Sequence, residues 1–79
     1  MIISGIKLSE LNENEIGYIT ELEAQGDIRR RLLDLGMIEG TRVECLFKSP
    51  HGDPTAYGVR GAVIALRKED SDTIMIDMY

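Results

Sequence analysis

Apolar and polar residues alternate over Glu15–Glu23, EIGYITELE, with Ile16, Tyr18, Thr20 and Leu22 on one side and Gly17, Ile19, Glu21 and Glu23 on the other. A period of two predicts a strand. The period then changes. Ile28, Leu32 and Leu35 recur at i, i+4 and i+7, one apolar stripe of a short helix over Asp27–Leu35. Asp27 is a suitable N-cap, since its carboxylate can accept from the free N–H groups of the first turn. Gly36 stands where a left-handed residue ends a helix, and Gly40 closes the tight turn Met37-Ile38-Glu39-Gly40.

Alternation returns in Thr41–Lys48, TRVECLFK, with Val43, Cys45 and Phe47 on one face. Ser49–Thr55, SPHGDPT, holds both prolines and reads as a hairpin loop. Ala56–Arg60 and Val63–Arg67 are two further strands, separated by a turn or bulge at Gly61-Ala62. After a polar turn over Lys68–Asp72, Thr73–Tyr79 closes the pattern with Ile74, Ile76 and Met78 inward. Lys7–Leu11 forms at most one helical turn. The result is a mainly β chain of about five strands with one short helix after the first long strand. A small, strongly bent barrel buries such strands with the least material and hides the sheet edges.

Size supports that economy. The 79 residues make one small domain, 1–79. At this size the stability expected is on the order of 3–5 kcal/mol. A single cysteine, Cys45, excludes an internal disulfide and suits a reducing cytoplasm. The longest apolar run is Ala62–Leu66, far short of the roughly 20 residues of a membrane helix. The N-terminus has no Lys or Arg before its apolar residues and does not read as a signal peptide. The expectation is a cytoplasmic protein with no membrane insertion.

Charge changes the picture more. The net charge is −5, yet residues 28–68 carry +4 between ends of −5 and −4. Arg29, Arg30 and Arg31 are adjacent at the start of the expected helix. With Ile28 at zero on a wheel of 100° per residue, Arg30 lies at about 200°, opposite the core, Arg29 and Arg31 flank the stripe, and Leu33 at about 140° is part-exposed. Cations in a first turn oppose the helix dipole, at roughly 0.3–1 kcal/mol each, and Arg30 with Asp34 at i, i+4 is the weaker pairing order. Two readings stand: a solvated face, or a docking surface of Arg29, Arg30, Arg31, Leu33, Asp34 and Met37 aimed at a protein partner. Nucleic acid is disfavoured, because the chain is acidic and no aromatic residue stands beside the arginines.

Other candidate chemistry is thin. Gly36–Arg42, GMIEGTR, lacks the spacing and the Lys-Ser/Thr pair of a phosphate loop. Cys45 lies on the expected core face and behaves there as a small hydrophobe. No nucleophile, base and orienting group occur together, so no enzyme is expected. His51 and Asp53 offer an imidazole and a carboxylate, but a specific metal site needs three or four ligands. No cofactor is expected. A weak divalent-metal site involving His51 and acidic residues is the alternative left open.

The motifs LLDLGMIEGTRVE, SPHGDP and VRGAVIALR, in that order, resemble the FeoA family of ferrous iron transport proteins, over about Leu8–Met78. The family commonly has Pro before the turn glycine, where this chain has Glu39. Losing that proline costs roughly 0.4–1 kcal/mol through a looser unfolded chain. The resemblance implies an SH3-like barrel and an accessory protein that docks on the cytosolic G-protein part of a membrane ferrous transporter (FeoB-like). Similar domains end some iron-dependent repressors, but no helix-turn-helix precedes this one, which favours a stand-alone protein. The other function kept is a transition-metal-binding regulator acting without that transporter.

Overall fold

The computed structural model covers residues 1–79. The chain runs through β1 (Ile3–Lys7), a 3₁₀ turn (Leu8–Glu10), β2 (Ile16–Leu22), α1 (Gly26–Asp34), β3 (Arg42–Lys48), β4 (Thr55–Val59), β5 (Ala62–Leu66), one helical turn α2 (Lys68–Ser71) and β6 (Ile74–Met78). The six strands form one sheet in the order β1-β6-β2-β3-β4-β5, every pair antiparallel. Leu66 of β5 and Ile6 of β1, from the two outermost strands, meet one core with Ile19, Val43, Cys45, Tyr57, Val59, Ile74 and Ile76. Only a rolled sheet lets both ends reach the same core, and the fold is the expected mainly β, SH3-like barrel.

Three departures from the sequence pattern have one cause, the β-bulge. Strand β1 went unassigned because Gly5, at φ +74°, interrupts it, and its pairing with β6 shifts register between Ile3 and Ile6. Its apolar residues therefore lack a period of two. Phe47 was placed inward with Val43 and Cys45, but the β3–β4 register shifts between Cys45 and Phe47, leaving Phe47 56% exposed. In β2 the inward face is that of Gly17 and Ile19, and a shift between Ile19 and Glu21 ends the alternation there. Gly17 is inward because Ile76 fills its space: a Cβ there would stand 3.2 Å from Ile76 Cβ and collide with Ile76 Cδ1.

The sheet edges are also not hidden. Strands β1 and β5 each have one neighbour. The β4–β5 turn is Arg60-Gly61 rather than Gly61-Ala62, with both residues left-handed at φ +51° and +82°. That is the two-residue hairpin geometry whose twist matches the strands.

Candidate protein-docking surface

Helix α1 begins one residue earlier than the sequence suggested. Gln25 is the N-cap, and Asp27 falls inside the first turn with no capping bond. Asp27 still favours the helix dipole from there. The earlier start also moves the arginines along the helix. Arg31 lies in the last turn, where a cation suits the dipole, so the dipole penalty argued from the sequence does not apply to it. Of the apolar stripe, Leu32 is buried and Leu35 packs against the core, but Ile28 is 40% exposed. Nine residues give the helix two and a half turns, and its first turn is solvent-exposed.

The three arginines have different roles. Arg29 Nη1 donates to the carbonyl of Leu22 at 2.8 Å, which ties the helix to the end of β2. Arg30 and Arg31 are exposed, and neither makes an ion pair nor a side-chain hydrogen bond. The weak Arg30–Asp34 pairing does not form. Asp34 is exposed and unpaired on the same face.

Between this helix and β2 runs a groove of about 290 Å³, lined among others by Glu21, Leu22, Arg29, Leu33, Ile38 and Glu39. Leu33 is 39% and Ile38 43% exposed on its rim. Met37 does not join them as a surface contact: it is wholly buried and reaches the groove from beneath. The chain turns sharply at Gly36, φ +92°, and again at Gly40, φ +88°. Met37 N–H donates to the Leu32 carbonyl at 3.0 Å, which swings its side chain into the core. Ile38, which sequence reading overlooked, takes the exposed place. Nothing in the sequence marks it out, since Met37 and Ile38 are both apolar residues of one tight turn between two glycines.

The Asp53 carboxylate has partners other than His51. Asp53 accepts from the backbone N–H of Lys68 at 2.9 Å and lies 3.8 Å from Arg67. His51 is exposed in the loop. No three His, Cys, Asp or Glu side chains come together as a cation site. Cys45 is fully buried, and desolvation pushes its thiol up from the ordinary range despite the nearby Lys48. No helix is long and apolar enough to cross a membrane.

With this geometry known, similarity to other proteins is specific. A FeoA protein from Chlorobium tepidum, solved by NMR, is 32% identical and superposes with a TM-score of 0.87 over 92% of this chain and 70% of that one. FeoA of Stenotrophomonas maltophilia, crystallised with zinc and described as a procaryotic SH3 domain protein, is 28% identical with a TM-score of 0.82, covering 91% of this chain and 89% of that one. A Porphyromonas gingivalis protein that fuses Fe(2+) transport protein A to the Fe(2+) transporter FeoB is 29% identical over 92% of this chain. This chain spans only 9% of that fusion protein's length. The FeoA domain model matches residues 6–78, and the chain belongs to the FeoA family, which is associated with ferrous iron transport.

Proposed function

We propose that this protein is a cytoplasmic accessory of ferrous iron uptake that docks, through α1 and its groove, on the cytosolic G-protein part of a FeoB-like transporter. The observation that carries the reading is the Porphyromonas gingivalis fusion, in which a domain like this one shares a chain with FeoB. Covalent linkage raises the effective concentration of two modules that must meet. The surface offered has the make-up of an interface: Arg30 and Arg31 lack internal partners, and Leu33 and Ile38 expose apolar area beside them. Both arginines suit an acidic patch on the partner.

Co-purification tests this. The wild-type chain is expected to co-purify with a detergent-solubilised FeoB-like transporter, and R30E/R31E to be lost from the complex while keeping its own melting temperature. Retention of the double variant at wild-type level would place the docking surface elsewhere.

A second reading is favoured by the zinc complex of the Stenotrophomonas maltophilia protein. Under it, His51 and neighbouring carboxylates form part of a divalent-metal site shared between molecules. Titration with Zn(II) and Fe(II) decides it: saturable binding tighter than about millimolar that is lost in H51A supports the site, and its absence removes it.

A further inference from the structure

The β5 strand reads AVIAL, with no charge and no proline. It pairs with β4 without a register shift, and its other side pairs with nothing. Sheets ordinarily blunt such an edge with a charge, a bulge or a proline. The opposite edge, β1, does so through its register shift and Lys7. The β4–β5 hairpin fixes which groups face out. In a two-residue hairpin Val59 and Ala62 exchange both hydrogen bonds, and alternate pairs repeat the pattern at Tyr57–Ile64 and Thr55–Leu66. The backbone N–H and C=O of Val63 and Ala65 therefore point away from the sheet, available to another strand.

Beside this edge lies a groove of about 470 Å³ lined by Thr41, Arg42, Glu44, Gly58, Arg60 and Val63 among others. The Leu46 side chain lies over Gly58, 3.4 Å from where a Cβ would stand, and Val63, 68% exposed, is the wall on the edge side. Glu44 stands 3.8 Å from Arg42 and offsets its charge. Arg60 has no carboxylate partner and is the net positive charge of the groove. Its φ of +51° is one that Asn or Gly adopts more easily. One guanidinium nitrogen donates to Thr41 Oγ1 at 3.3 Å, and the remaining donors are unengaged.

We propose that the β5 edge accepts an extended segment of a partner protein as an added strand, with a carboxylate of that segment seated at Arg60. Main-chain bonds to Val63 and Ala65 supply affinity, and the groove supplies selection by charge. A second copy of this chain is the poorer occupant. Its β5, AVIAL, carries no carboxylate to seat at Arg60. The site shares no lining residue with the α1 groove and does not rest on the transporter reading.

The test is an amide NMR titration of the full chain with a synthetic peptide, acetyl-Glu-Val-Thr-Val-Thr-Val, and with its twin carrying Lys in place of Glu. The acidic peptide is expected to shift the Val63 and Ala65 amides saturably, with a dissociation constant of about millimolar or tighter, and to bind about fivefold better than the Lys peptide. R60S should erase that difference. A65P removes an outward N–H that serves no ladder bond and should abolish binding of both peptides. No saturable shift at these amides in the wild-type chain, or equal binding of the two peptides, would overturn the proposal. So would shifts at the same amides that grow with protein concentration alone, which would give the edge to a second copy.

Discussion

Cys45 is wholly enclosed between Val43 and the Tyr57 ring across the β3–β4 ladder. Burial raises its thiol pKa, so it stays protonated and unreactive at neutral pH. Ellman's reagent should label the native chain only as fast as the chain opens, and labelling should become rapid in denaturant. Gly17 is as tightly constrained for a different reason. G17A sets a methyl against Ile76 Cδ1, and the resulting shift should cost about 1–3 kcal/mol, read from the midpoint of urea unfolding. Asp72 accepts hydrogen bonds from Ser9 Oγ and, at 3.0 Å, from Lys68 Nζ, and these hold its carboxyl below the usual range. A carboxyl with a lowered native pKa stabilises the fold fully above its unfolded value of about 3.9 and loses that contribution as pH falls toward the native value. D72N should therefore destabilise the fold most above about pH 4, and its difference from wild type should shrink as pH falls below that, which flattens the acid limb of the stability profile.

Helix α1 shows how differently three identical neighbouring residues behave. Arg29 bonds to the end of β2, so R29A should destabilise by about 0.5–1.5 kcal/mol. R30A and R31A should each stay within about 0.5 kcal/mol of wild type, since neither side chain has a partner to lose. Thermal melts of the three variants check this ordering. The helix itself was legible from the spacing of Leu32 and Leu35, and the strands from their alternation. What the sequence did not reveal were the positions where alternation is interrupted. One extra residue at Gly5, after Ile19 or after Cys45 inverts the later side chains of its strand, and at the last two no local residue type announces it. Phe47 and β1 were misread for that reason. Met37 and Ile38 exchanged roles because the φ values of Gly36 and Gly40 decide which way the turn faces, and hydropathy does not distinguish the two. Of the candidate site, the exposed arginines and Leu33 were legible, whereas the groove beside them required the helix and β2 to be placed together.

At the scale of the molecule, an acidic chain presents its free positive charge on two patches, Arg30 and Arg31 of α1 and Arg60 on the β3–β5 face. Such segregation contributes little to stability, because exposed charges are well solvated. It does favour encounter with an acidic surface and discriminates against the wrong partner. The Arg30–Arg31 face gives the transporter reading its most direct test. Calorimetric titration of this protein into the isolated cytosolic G-protein domain of the FeoB-like transporter from the same cell, with and without guanine nucleotide, is the decisive measurement. Saturable binding in at least one nucleotide state, weakened at least about tenfold by R30E/R31E, is the predicted result. Wild-type and double-variant chains that bind equally, or a wild-type chain that binds in no nucleotide state, would contradict it.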